Sequence, residues 1–181
     1  MALITREYFD KLPLGLTKQM QPFMESIDEF IQTASEQVEA YCERKFELQE
    51  HVEVLYGTGN NRILVDQYPV QSVDTITYED DFGGSWTVDT NYIRVHPSGV
   101  LEWKFPVTQG PWRRDRIYTI TYTAGFDPVP GPIKHATALW TTELLRPNFA
   151  GPTPERPAEL VPFTTEQIGE MLENYRRRRI G

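Results

Sequence analysis

The sequence predicts an α+β fold, a helical core interrupted by an antiparallel β insertion between its second and third helices. Two observations carry this. Apolar residues recur in steps of three and four near both ends of the chain, but in steps of two between about residues 48 and 124. No helical stretch separates the strands of that middle block, and a parallel sheet needs such crossovers. The 181 residues, 39% hydrophobic and 24% charged, have ordinary globular composition and suffice for one substantial core.

The elements follow in order. "TREYFDKL" reads as a short helix with Thr5 as N-cap and Glu7 near the positive end of its dipole. Pro13 and Gly15 break it. A long helix is expected from about Pro22 to Lys45, with Phe23, Ile27, Phe30, Ile31, Ala34, Val38, Tyr41 and Cys42 on one face. Its ~24 residues would span about 36 Å. After Phe46 come "HVEVLYG", "RILVD", "SVDTITYED", "NYIRVH", "VLEWKF" and "IYTITYTAG", short and rich in β-branched and aromatic residues. Asn60-Asn61, "DDFGGS" and Pro97-Ser98-Gly99 are the expected turns, Asn60-Asn61 closing a hairpin. Pro132 sits where a new helix tolerates proline best, in the first turn of "IKHATALWTTELLR".

The proline density of residues 147–163 excludes helix and predicts an extended strap. A last helix then opens at Thr164, spaced three from Gln167 as in a capping box. Ile168, Met171, Leu172 and Tyr175 form its narrow apolar stripe. About 16 residues with so few apolar side chains bury too little to stand alone, so this helix is expected to order on a partner. The resulting division is a core at 1–146 holding the β insertion at about 48–124, a strap at 147–163 and a docking helix at 164–181.

The motifs of catalysis are missing from the sequence, which predicts neither enzyme nor cofactor. "YGTGNNRILV" has the glycines of a phosphate loop, but a strand follows where the anion would need a helix N-terminus. His51, His96 and His135 lie on separate elements without metal-ligand spacing. Cys42 is alone, which excludes an internal disulfide, and its helical spacing from Val38 predicts a buried thiol. Asp80 and Asp81 read as turn residues at a hairpin tip rather than a general acid–base pair. No apolar run approaches the ~20 residues of a membrane helix. The expectation is a soluble protein made in the cytosol.

Charge is unevenly spread. The formal net charge is −8, and residues 1–53 hold eleven acids against five bases, yet the chain finishes "ENYRRRRIG". An acidic body disfavours general adsorption to nucleic acid. Two basic places remain as candidates: Arg176, Arg177, Arg178 and Arg179 at the end, and Arg113, Arg114 and Arg116 beside Trp112. The second group, with Trp86, Trp103 and Tyr92, has the composition of a base-stacking surface. Pairing of these guanidiniums with Asp115 or stacking on Trp112 explains it more simply.

Several stretches together resemble the head–tail connector (adaptor) proteins of long-tailed double-stranded-DNA bacteriophages and related gene-transfer particles. They are "MALIT", "ASEQVEAYCERKF", "YPVQSVDTITYED", "TYTAGFDPVPGPIKHATALW" and "LENYRRRRIG". Their order is more telling than any one of them, and the long proline stretch departs from the pattern. The resemblance implies a structural virion protein at the head–tail interface, made in the host bacterial cytoplasm. It implies a dodecameric ring under the portal that extends the DNA channel, lets packaged double-stranded DNA pass and receives the next head-completion or tail protein. It also implies that the C-terminal segment inserts into the portal, which assigns docking to Ile168, Met171, Leu172, Tyr175, Arg176, Arg177, Arg178, Arg179 and Ile180. Contact of Arg113, Arg114 and Arg116 with DNA or a neighbour is a secondary expectation. The alternative is a stand-alone nucleic-acid-binding protein using its basic C-terminus.

Overall fold

The computed structural model describes residues 2–12, 26–80, 83–104, 112–145 and 165–177. The chain divides into a helical unit, Met1–Arg44 with Val129–Gly181, and a β unit, Lys45–Pro128.

In the helical unit, α1 spans Arg6–Asp10, and the Thr5 hydroxyl accepts a hydrogen bond from the Tyr8 amide, so this helix starts on its expected cap. Helix α2 spans Ile27–Cys42. It ends earlier than the expected Lys45 because Glu43 adopts a left-handed conformation (φ 55°). The Glu43 and Arg44 amides then close back on Ala40 and Glu39 carbonyls at 3.2 and 3.1 Å. The expected start at Pro22 lies outside the described residues. Helix α3 spans Gly131–Leu145, with Pro132 in its first turn.

The core of this unit joins Ile4, Phe9, Ile27, Ile31, Ala138 and Leu145. Its buried hydroxyls are satisfied locally. Ser35 donates to the Ile31 carbonyl at 2.7 Å and accepts from the Leu3 amide at 3.0 Å, which ties the N-terminal segment to α2. Thr137 and Thr141 donate to the carbonyls four residues back.

Helix α4 spans Thr165–Leu172 and continues as a single 3-10 turn, Glu173–Tyr175. This corrects two expectations. The helix is half the expected length, and it does not lack packing within the chain. Ile168 and Leu172 are buried, and α4 lies against α3.

The β unit holds seven strands among the described residues: β1 Gln49–Tyr56, β2 Arg62–Leu64, β3 Val70–Glu79, β4 Ser85–Val88, β5 Ile93–Val95, β6 Val100–Trp103 and β7 Ile117–Ala124. They form a four-stranded sheet in the order β1-β7-β3-β4 and a three-stranded sheet in the order β2-β6-β5, antiparallel throughout. Alternation along the strands other than β1 sends one set of side chains into a shared core, which includes Ile76, Tyr118, Ile120 and Tyr122 from the larger sheet and Ile63, Ile93, Leu101 and Trp103 from the smaller. Trp112 fills its centre, edge-on to Tyr118 at 5.0 Å and tilted against Trp103 at 5.6 Å.

Asn60-Asn61 does not close a hairpin. β1 pairs with β7 and β2 pairs with β6, so residues 57–61 carry the chain from one sheet to the other. Backbone bonds from Gly57 to Arg116, Gly59 to Trp112, Trp112 to Asn60 and Trp103 to Asn61 fasten this crossing. A Cβ at Gly57 would meet the Arg113 carbonyl oxygen at 1.8 Å, so only glycine fits. "DDFGGS" does connect paired strands, β3 and β4, and β4 itself was not expected from the sequence.

Candidate functional site

The predicted docking residues lie in the C-terminal arm. Ile168 and Leu172 are inside the helical unit, while Met171 and Tyr175 are half-buried. Gly169 lets α4 approach α2, since a Cβ there would stand 2.9 Å from the Tyr41 hydroxyl oxygen. Beyond α4 the arm closes on the C-terminal end of α2. The Arg44 guanidinium donates to the Tyr175 carbonyl at 3.4 Å, and the Arg177 amide donates to the Cys42 carbonyl at 2.9 Å. That second bond supplies one of the orphan carbonyls a helix end leaves behind. Arg176 lies over the Tyr41 ring at 5.5 Å and is exposed. Arg178, Arg179 and Ile180 lie outside the described residues. Beneath this arm, burial pushes the Cys42 thiol up to about 11, against the opposing pull of Arg44 and Arg176. Such a thiol is protonated and unreactive at neutral pH.

Arg113, Arg114 and Arg116 do not form a bare basic patch. Arg113 pairs with Asp115, and this bond holds the Asp115 carboxyl below its ordinary range. Arg114 donates to the Thr58 carbonyl at 3.1 Å, and Arg116 stacks over Tyr78 at 4.2 Å, not over Trp112. Trp112 and Trp103 are buried and offer no face to a base. Trp86 and Tyr92 are exposed, and the Trp86 indole donates to Asp80 at 2.7 Å. The same Asp80 carboxylate accepts the Gly84 amide, which is the turn role its sequence context predicts.

A denser electrostatic cluster lies on the outward face of the smaller sheet, and sequence reasoning missed it. Glu102 sits between Arg62 at 2.8 Å and Arg94 at 4.0 Å, with His96 at 3.1 Å. Its pKa is lowered, first by the Arg62 hydrogen bond and then by that of His96. The signal was faint, because the three strands are only three or four residues long and the row Arg62–Glu102–Arg94 exists only through their register.

His51 lies beside the Tyr122 ring, where burial lowers its pKa. His135 is half-buried on α3. Among the described residues no group of three or more His, Cys, Asp or Glu is placed to hold a metal ion. Among the same residues no helix is long and apolar enough to cross a membrane.

Comparison with solved structures finds the same fold in chains of gene transfer agent (GTA) particles. A chain in the neck of an empty GTA particle with C6 symmetry superposes with a TM-score of 0.60 at 15% identity, covering 98% of this chain and 95% of that one. One in the neck of the native particle with C12 symmetry gives 0.60 at 16%, covering 98% and 94%. One in the native virion gives 0.60 at 15%, covering 86% and 79%. At such identities the likeness is one of fold. No curated protein matches the sequence. The sequence model described as "HCP: Head completion protein" matches residues 2–145, from before α1 to the end of α3, and so includes the whole β unit. The chain belongs to the head completion protein family, the structural proteins of the phage head–tail connection.

Proposed function

We propose that this protein is a head–tail adaptor of the virion, assembled as a dodecameric ring beneath the portal, where it extends the DNA channel and receives the next neck or tail component. Its role in this reading is mechanical, not catalytic. The observation that carries it is family membership over residues 2–145, joined to a fold shared along 98% of the chain with proteins of GTA necks, one with C12 symmetry.

The physics of the chain supports the reading. A ring through which DNA slides gains from a wall that does not hold phosphates, and a net charge of −8 suits that role. The basic charge is gathered at the C-terminus, where Arg176 is exposed and Arg178 and Arg179 follow. We assign these arginines to the portal, as bidentate partners for carboxylates. Twelve weak contacts in one ring would sum to strong attachment. Because Ile168 and Leu172 are committed to the helical unit, docking in this reading relies on the arginines and Tyr175.

The test mixes purified protein with portal rings and images the product by electron microscopy. Wild type is expected to add a symmetric ring. A variant with Arg176, Arg177, Arg178 and Arg179 changed to Gln, which leaves α4 intact, is expected not to. A variant that decorates portals like wild type overturns the docking assignment. If instead wild type ignores portals and binds duplex DNA with a log–log salt slope of roughly −3 to −4, as four phosphate contacts require, the protein is a DNA binder.

A further inference from the structure

We infer that the two outward faces of the β unit are complementary, and that the large-sheet face of one copy packs on the small-sheet face of the next. This deepens the ring reading above and rests on it for the head-to-tail arrangement.

The first observation is an inverted strand. In β1 the apolar residues Val52, Val54 and Tyr56 face outward, at 61%, 64% and 74% exposure, while His51, Glu53 and Leu55 face the core side. A strand that packs only within its own chain has the opposite pattern. The Glu53 carboxylate is accommodated because it accepts from the Tyr122 hydroxyl and the Asp66 amide. Register extends the outward surface to Thr121, Thr119 and Ile117 of β7 and to Thr75 and Thr77 of β3. The result is an apolar corner continuous with a threonine field. Patches of this kind mark interaction sites.

The second observation is an open edge. β1 ends the sheet order and has eight residues without proline, lysine or bulge, so only the charges of Glu50 and the inward-facing Glu53 guard this edge.

The third is charge, and it selects the occupant. The four strands of the larger sheet contain no lysine or arginine, and Glu50, Asp74 and Glu79 are exposed at its margins. The smaller sheet, facing the other way from the shared core, presents Arg62 and Arg94 at 64% and 61% side-chain exposure around the single carboxylate of Glu102, with the half-exposed Leu64 beside them. One face is acidic and apolar, the other basic with an apolar contact. A ring of identical subunits needs two different, mutually complementary surfaces on each copy, which is what a heterologous contact means. A second copy of this chain therefore fits both faces at once.

Sedimentation analysis of the isolated full-length protein over a concentration series tests this. Wild type is expected to self-associate. Val54→Arg, or Tyr56→Arg as a second route, should weaken association at least about tenfold by placing a like charge in the apolar corner against Arg62 and Arg94 of the neighbouring copy. Arg62→Ala with Arg94→Ala should weaken it about three- to tenfold and reduce its salt dependence. Circular dichroism and melting curves identify folded variants. Val54→Arg keeps a good small-sheet face and the double variant keeps a good large-sheet face. Mixed together, they should form a heterodimer that grows no further. Association of both variants at wild-type strength, a wild type monomeric at every soluble concentration, or a mixture that stays monomeric while wild type associates overturns the inference. Portal decoration by the wild type, scored separately, distinguishes the two readings: decoration with unaffected variants sinks this inference alone, and self-association without decoration sinks the portal reading alone.

Discussion

The helical unit and the β unit treat the same residue types in opposite ways. Five of the six buried polar or charged side chains among the described residues belong to the helical unit: Ser35, Glu39, Arg44, Thr137 and Thr141. The exposed large hydrophobics among the same described residues, Leu48, Val52, Val54, Tyr56, Leu64, Trp86, Tyr92 and Ile117, all belong to the β unit. A helix can hide a hydroxyl cheaply, because the carbonyl four residues back accepts its proton. A sheet has no such internal acceptor, and its outer face must meet water or another surface. The described part of the helical unit thus shows no large exposed hydrophobic, whereas the β unit leaves apolar surface over. The contrast is what directs the self-association proposal to the β unit rather than to the C-terminal arginines.

The comparison can be broken from the core outward. The largest effects are expected from Trp112→Ala and Ile31→Ala, one in each core. Trp112 fills the centre of the β sandwich and its backbone fastens the 57–61 crossing, so its truncation should cost about 3–5 kcal/mol. Ile31 should cost about 2–5 kcal/mol. Chemical denaturation measures both. If the units unfold separately, each variant shifts only its own transition, and a shared shift would show that they unfold together.

Ser35→Ala removes an acceptor from the buried Leu3 amide, and a loss of about 1–3 kcal/mol is expected. Faster hydrogen exchange at Leu3 would identify the cause. Val54→Thr, at an exposed position, should leave monomer stability within about 0.5 kcal/mol of wild type. A larger loss would mean that Val54 packs inside its own subunit.

A finer probe uses pH. The Glu102 carboxyl lies below its ordinary value of 4.5 in the folded protein, so its ion pairs contribute stability that is fully present above that value. The contribution disappears as pH falls through the lower, folded value. Glu102→Gln should therefore flatten part of the acid limb of a stability–pH curve, and an unchanged limb would remove Glu102 from the account.

Much of the helical unit was legible because its determinants are local. Thr5 caps the helix it precedes, and Pro132 begins the helix it was expected to begin. The C-terminal end of α2 was less legible, because Glu43 gives no sign of a left-handed turn in the way glycine would. In the β unit the strands were visible but their partners were not. β1 pairs with a strand some sixty residues away, and Asn-Asn chemistry suits a crossing loop as well as a hairpin. β4 is short and begins at the serine that closes the expected turn, so it was absorbed into it. The C-terminal stripe was read correctly as apolar, but periodicity does not say whether a partner or the same chain covers it. The Glu102 cluster and the outward face of β1 needed sheet register, which lies beyond any window of sequence.

The two ends of the β unit meet. Glu47 bridges Phe126, the Phe126 amide donates to the Phe46 carbonyl at 2.8 Å, and their rings stack at 6.5 Å. Gly125, at φ 123°, comes so close to Glu47 that a Cβ would stand 2.2 Å from its carbonyl oxygen. A single uninterrupted piece of coding sequence, residues 45–128, therefore begins and ends at one small clasp. An exchange bounded by the codons of Lys45 and Pro128, far apart in the gene but adjacent in the fold, would replace both outward faces together and leave the helical segments' sequence unaltered. The incoming piece would have to keep a glycine at the clasp, since any Cβ there meets the Glu47 carbonyl.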